Sequence, residues 1–176
     1  MNNTKSIIFG GGCFWGVQHY FKQVKGVINT VVGYTAGNYK SPTYELVCSG
    51  KTGHAEVCKI DYDFSKTNLN ILLEHFFFII DPTQLNQQGN DIGTQYRTGI
   101  YYYDEEDLKS IQNYMDSIKK NYKNSIQVEV KPATEFFEAE EYHQDYLEIN
   151  KGGYCHIGSS KICAAPKVDD IARTKF

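Results

Sequence analysis

SIIFGGGCFWGVQHYFKQVKG, residues 6–26, changes its hydrophobic period part-way, and that change decides the fold. Ser6–Phe9 is a short apolar run entering Gly10-Gly11-Gly12, as a buried strand does before a turn. From Phe14 the apolar residues return at three- and four-residue steps, so that Phe14, Val17, Phe21 and Val24 share one helix face. Gly26 stands where a helix commonly ends on glycine. A strand, a glycine turn and a helix therefore open the chain, with Cys13 at the junction.

The pattern then recurs. Val27–Tyr34 reads as a strand, Thr35–Gly53 as a polar loop and His54–Tyr62 as a strand. Ser65 starts a helix with Leu69, Leu72, Leu73, Phe76 and Ile80 inward, and Asp81-Pro82 stops it. Thr83–Arg97 is a long stretch rich in Gln, Asn and Gly, and such loops in compact domains usually carry function. Thr98–Tyr103 is a strand. Asp104 caps a helix over Glu105–Tyr122, with Leu108, Ile111, Met115, Ile118 and Tyr122 buried. Ile126–Val130 is a strand, Glu135–Asn150 is helical in parts, and Gly152–Phe176 is a tail holding glycine and cysteine. This order predicts an α+β fold of the ferredoxin-like, split βαβ kind: a two-layer sandwich with helices on one face of a sheet, and a Gly-rich C-terminal tail.

The 176 residues suit a single domain spanning residues 1–176, of which about 151–176 is expected to be a mobile tail. A hydrophobic share of 41% with 22% charged residues excludes a disordered chain. The net charge of −3 gives no basic field for nucleic acid. The longest apolar run, Phe76–Ile80, is far below the ~18 residues of a membrane span. No apolar signal core follows the N-terminus, so the expectation is a cytoplasmic, soluble protein with no membrane partner. Nothing in the sequence calls for more than a monomer.

Five cysteines in a cytosolic setting should be reduced, and an odd count argues against a purely structural disulfide framework. Cys13 has the most telling position. A helix start carries roughly half a positive charge and unpaired amides, which favour a thiolate and lower a thiol pKa. Phe14 and Trp15 put apolar faces beside the sulfur. A buried turn cysteine with core aromatics is nearly as good a reading on spacing alone. Two other chemistries also fit isolated residues. His19, His54 or His143 could serve a Cys–His catalyst. Cys155, His156 and Cys163 could bind zinc, although Cys155 and Cys163 are eight positions apart and close C-x₂₋₄-C pairs are the rule.

Gly12-Cys13-Phe14-Trp15-Gly16 resembles the signature of the A-type peptide methionine sulfoxide reductases. Four more segments resemble that family in its order: residues 31–37 (VVGYTAG), 53–57 (GHAEV), 91–97 (DIGTQYR), and 139–146 (AEEYHQDY) followed by Gly153-Tyr154-Cys155. The resemblance implies reduction of peptidyl methionine (S)-sulfoxide, with Cys13 as nucleophile and a sulfenic acid as product. It implies Glu56 as proton donor, held neutral by apolar burial. It assigns hydrogen bonds to the sulfoxide oxygen to Tyr34 and Tyr96, an orienting role to Asp91, and enclosure of the substrate methyl to Phe14 and Trp15. Cys155 and Cys163 resemble the family's recycling cysteines, with thioredoxin as the expected reductant and no cofactor or metal. Cys48 and Cys58 match no redox position, and Cys58 reads as a buried hydrophobe.

Overall fold

Ile7, Ile8 and Phe9 are all fully buried, because the strand that carries them has a packed layer on each face. That strand, β1 (Thr4–Gly10), lies inside a six-stranded sheet of a structure, a computed structural model, that describes residues 2–162. In chain order the other elements are α1 (Phe14–Phe21), β2 (Val27–Thr35), α2 (Tyr44–Cys48), β3 (Ala55–Asp63), α3 (Leu69–Ile79), β4 (Gln87–Gln88), β5 (Asp91–Ile92), β6 (Gly99–Tyr102), α4 (Glu105–Ile118), β7 (Glu129–Pro132), β8 (Phe137–Glu138) and α5 (Tyr146–Ile149). The sheet order is β7-β6-β1-β3-β2-β8, with β4 and β5 forming a separate hairpin. All pairings within β6-β1-β3-β2 are antiparallel, and β7 joins β6 in parallel.

The period-two alternation of strands sorts side chains into two layers. Ile7 and Phe9 of β1, with Cys58, Ile60 and Tyr62 of β3, pack under Val17 and Phe21 of α1, Leu72 and Phe76 of α3 and Ile111 of α4. Ile8, Val57 and Tyr101 face the other way into a small cluster roofed by Ala36, Ala133 and Phe136. The helices therefore sit on one face, as the order of elements predicted. Cys58 is fully buried in this core. Among the described residues no helix is long and apolar enough to cross a membrane.

Several boundaries move for local reasons. α1 stops at Phe21, where Gln23 and Val24 donate to carbonyls three residues back and tighten the chain. α3 begins at Leu69 because Asn68, accepting from the Ile71 amide, is its cap; Ser65 is instead held in a turn by Asp63. Asp104 sits at the cap position of α4 but makes no side-chain capping bond, and α4 ends at Ile118 before a 3₁₀ turn. β7 starts at Glu129 rather than Ile126, since the Gln127 amide is drawn to the Pro82 carbonyl. The polar loop Thr35–Gly53 contains α2, capped by Thr43. The stretch Thr83–Arg97 holds the β4–β5 hairpin and a 3₁₀ turn at Thr94–Tyr96.

Candidate active site

The glycine turn ends with Gly12 at φ 86°, a left-handed conformation that disfavours side chains, and Cys13 follows as the first residue of the α1 entrance. Cys13 is 7% exposed. Its side chain makes no capping bond, yet the Trp15 and Gly16 amides lie near enough to favour a thiolate. They do not prevail: burial, then the charges of Glu56 and Asp91, push the thiol well above its ordinary value. The expectation of a lowered resting pKa is thus corrected. The helix start acts in the expected direction, but desolvation of a buried sulfur outweighs it.

β3 sets Glu56 directly across from Tyr34 of β2, so both side chains enter the layer beneath α1. The Phe14 amide donates to Glu56 Oε1 at 3.3 Å, which ties the carboxyl to the residue after Cys13. Glu56 is 1% exposed, and burial pushes its pKa up to about 8 against the opposing Phe14 amide. Its other oxygen, Oε2, is buried with no hydrogen-bond partner among the described residues. A neutral carboxyl here keeps a proton available at pH 7.

Glu140 is the opposite case. Burial works against its charge, but its own amide, the Tyr44 amide and the Tyr34 hydroxyl outweigh that and hold it below the usual carboxylate value. Tyr34 donates to Glu140 Oε1 at 3.0 Å, and the Tyr44 amide donates to Oε2 at 3.1 Å. The site thus holds one neutral and one ionised carboxyl. Burial and then the Glu140 charge raise the Tyr34 phenol, so it stays a donor.

Phe14 and Trp15 begin an aromatic wall completed from the far end of the chain. Phe14 lies 5.7 Å from Tyr34 and 5.2 Å from His143 between ring centroids. Trp15 stacks on Tyr146 at 3.7 Å, and its indole N–H donates to His143 Nδ1 at 3.0 Å. That bond puts the imidazole proton on Nε2, which is buried and has no partner among the described residues. Tyr44 of α2 approaches His143 at 4.3 Å. Burial raises the phenols of Tyr44 and Tyr96, and both feel the Glu56 charge. Tyr96 also feels Asp91 and Cys13, which places it at the same site.

Arg97 explains why the loop carrying Tyr96 keeps its shape. Its guanidinium donates to the carbonyls of Thr94, Ala36 and Gly53 and pairs with Glu129, tying the 3₁₀ turn to the ends of β2 and β3. Asp91 accepts from the Tyr154 hydroxyl at 3.3 Å, which joins the β4–β5 hairpin to the C-terminal segment.

That segment lies on α1. A Cβ on Gly16 would stand 3.1 Å from Cys155 Sγ, so the missing side chain is what admits the sulfur to the first turn beyond Cys13. His156 Nε2 meets the Gly11 carbonyl at 2.7 Å, Ile157 is buried in the core, and Lys161 donates to the Phe78 carbonyl at 2.9 Å. Up to Ile162 the stretch expected to be mobile is therefore docked, because it contributes its own core residue and ties. Cys163 lies outside the described residues.

The residues singled out in sequence converge: Cys13, Glu56, Tyr34, Tyr96, Asp91, Phe14, Trp15 and Cys155 all meet at the α1 entrance. His54 does not serve as a base there. Its Nδ1 accepts from the Gly37 amide and its Nε2 donates to the Tyr39 carbonyl, so both nitrogens hold a loop. Among the described residues no three His, Cys, Asp or Glu side chains are grouped to hold a metal. Cys48 is exposed at the end of α2, within hydrogen-bonding reach of Tyr44. Sequence reasoning gave no role to Glu140, Tyr44 or Tyr146, and considered His143 and His156 only as a Cys–His base and a zinc ligand. Four of these lie in quoted motifs or beside them, and Tyr44 was hidden in a stretch read as loop.

A family model described as peptide methionine sulfoxide reductase matches residues 5–174. The chain is 56% identical over 153 residues to "Peptide methionine sulfoxide reductase MsrA" of Clostridium botulinum (strain Okra / Type B1), covering 87% of this chain and 98% of that one. It is 54% identical to the protein of the same name from Clostridium acetobutylicum, covering 87% and 94%. Among solved structures, methionine sulfoxide reductase A of Corynebacterium diphtheriae superposes with a TM-score of 0.84 at 33% identity, covering 88% of this chain and 79% of that one. Mxr1 from Saccharomyces cerevisiae in complex with Trx2 gives a TM-score of 0.60 at 25% identity, covering 82% and 85%. The chain belongs to the peptide methionine sulfoxide reductase family and is an enzyme of that activity.

Proposed function

We propose that the enzyme takes peptidyl methionine (S)-sulfoxide, and free methionine (S)-sulfoxide as well, and reduces it through a Cys13 sulfenic acid. One observation carries this reading: the carboxyl of Glu56, fixed by the Phe14 amide, keeps a buried oxygen with no partner among the described residues beside the Cys13 turn. Cys13 gives up its thiol proton to solvent, and its Sγ attacks the substrate sulfur while Glu56 delivers a proton to the oxygen and later regains one from solvent. The new sulfur–sulfur bond then opens as the oxygen passes to Cys13. The S–O bond breaks, methionine leaves, and the oxygen ends on Cys13 as S–OH. With Glu56 neutral, its charge no longer opposes the thiolate, and the Trp15 and Gly16 amides favour it. Tyr96 binds the substrate oxygen, as does Tyr34 once its hydroxyl turns from Glu140. Asp91 orients this group, and Phe14 and Trp15 enclose the methyl.

A pocket that fixes the methyl on one side of the sulfur and the oxygen on the other admits one epimer. A racemic N-acetylated substrate should therefore stop near half conversion, with chiral separation finding only the R form left. Reaction to completion would contradict the pocket.

Recycling runs through Cys155, which attacks the sulfenic acid and releases water, and then through Cys163, which moves the disulfide outward for thioredoxin. The position of Cys155 over Gly16 supports the first step, and the solved complex of the similar Mxr1 with Trx2 supports the reductant. Cys155→Ser should yield one methionine per enzyme and lose turnover with thioredoxin. Cys163→Ser should accumulate a Cys13–Cys155 disulfide. Normal thioredoxin turnover by Cys163→Ser, together with no Cys155–Cys163 bond in peptide maps of the oxidised wild type, would end the relay at Cys155.

The strand order β6-β1-β3-β2 supports naming the fold ferredoxin-like. The reading extends to one domain over residues 1–176, with 151–176 as the recycling segment. It is completed by a cytoplasmic monomer that repairs oxidised proteins with its own thiols and carboxyl, without metal or cofactor.

A further inference from the structure

We propose that His156 anchors the C-terminal segment on the active-site turn and accepts the Cys155 proton as that thiol attacks the Cys13 sulfenic acid. The proposal rests on the recycling role of Cys155 given above.

The hydrogen bonds fix the tautomer. The Gly11 carbonyl can only accept, so His156 Nε2 carries the proton in the 2.7 Å contact. Nδ1 is then a bare lone pair, buried and without a partner among the described residues. It lies 3.2 Å from the point a Gly16 Cβ would occupy, and Cys155 Sγ lies 3.1 Å from the same point. Nδ1 and the sulfur therefore both border the space above the first turn of α1 that glycine at position 16 leaves open. A Cβ at Gly12 would fall 2.8 Å from Nε2, so the turn also makes room for the ring.

Cys155 needs a base. Disulfide formation proceeds from a thiolate, and burial holds this thiol above its ordinary value. Its S–H is aimed at the Ile157 carbonyl, 3.1 Å away, which can accept a hydrogen bond but cannot carry off a proton. For the thiolate to form, the proton must leave that carbonyl for a base, and Nδ1 is the unpartnered acceptor bordering the same space among the described residues. Burial also keeps the imidazole below its usual value, against the Gly11 carbonyl and the charge of Asp91, so it is neutral and able to accept at pH 7. Asp91 reaches His156 from β5. α1 adds Cys13 at its entrance and His19, which lines one cavity with Cys155, and the segment itself adds Cys155 and Tyr154.

The step balances. Nδ1 takes the Cys155 proton, Sγ of Cys155 bonds to Sγ of Cys13, and the Cys13 S–O bond breaks. The departing oxygen receives the proton held on the imidazole and leaves as water. Cys155 sulfur is oxidised, Cys13 sulfur is reduced, and His156 returns to its starting form.

The test is a rapid-quench experiment on the reduced full-length protein with one equivalent of N-acetylated peptide (S)-sulfoxide and no reductant. Thiols are trapped by alkylation, and the Cys13–Cys155 disulfide is measured by peptide mapping. His156→Gln retains an N–H for Gly11 but no base. Relative to the methionine burst of the same variant, its disulfide step at pH 7 should slow by about 10²-fold. The wild-type step should fall as pH drops through the imidazole pKa, and the variant should lose that inflection. His156→Gly should be slow and should recover when imidazole is added. A His156→Gln disulfide rate within two-fold of wild type with an unchanged pH profile overturns the proposal. So does a slow variant that keeps the inflection, or a failure of imidazole to restore His156→Gly. If the wild type forms no Cys13–Cys155 disulfide, the recycling role of Cys155 itself fails, which is a different result from any of these.

Discussion

Cys13→Ser is expected to release no methionine above background from a peptide (S)-sulfoxide, even with excess dithiothreitol. Sulfoxide sulfur is a soft electrophile, and a serine hydroxyl is a hard, weakly acidic nucleophile in its place. The variant should still fold, because Cys13 forms no disulfide and makes no capping bond whose loss would open α1. Circular dichroism and melting of the variant separate lost chemistry from lost structure. Methionine release at even a tenth of the wild-type rate would remove Cys13 from its central place.

Glu56→Gln carries the second large effect, and it has two readouts. In single-turnover assays the first step should slow by about 10²–10⁴-fold, since Gln keeps the shape and the Phe14 contact but delivers no proton. The wild-type step should decline as pH rises through about 8, where Glu56 loses its proton, and the variant should lack that decline. Stability supplies the independent check. Between the ordinary carboxyl value of 4.5 and about 8, folded Glu56 holds a proton that the unfolded chain has released. Stability from this group is therefore complete below 4.5 and is lost as pH rises to about 8. The melting temperature of Glu56→Gln should gain on that of the wild type across this window, by the equivalent of a few kcal/mol. Parallel melting curves would mean that Glu56 is ionised at neutral pH and that another group supplies the proton.

The sheet and its three longer helices were legible because their patterns are long and their periods unambiguous. Phe14, Val17 and Phe21 could only be one helix face, and they are buried together. What escaped were two- to five-residue elements. β8 has two residues, so no alternation can show, and α2 has five, fewer than two turns. Their existence depends on partners distant in sequence: β8 pairs with Gly33 and Tyr34, and α2 is held by Glu140 through the Tyr44 amide. The site was legible to the same degree. Cys13 and Glu56 stand in motifs with a chemical reading. His143 and Glu140 matter because of what folds against them, which no local pattern encodes. The acidity of Cys13 was misjudged for a related reason. The helix start can be read from neighbouring residues, whereas the burial that outweighs it comes from the whole fold.

β1 occupies the interior of the sheet, between β3 and β6, although it is the first strand of the chain. At a synthesis rate of about 5–20 residues per second, it waits on the order of ten seconds between its own appearance and that of its second partner. The wall that shelters Cys13, from Glu140 through Tyr146, arrives later still, and His156 comes after it. Until then the thiol lies in water with the acidity of an ordinary cysteine, free of the burial that later restrains it. The growing chain on the ribosome is thus easier to oxidise than the finished enzyme.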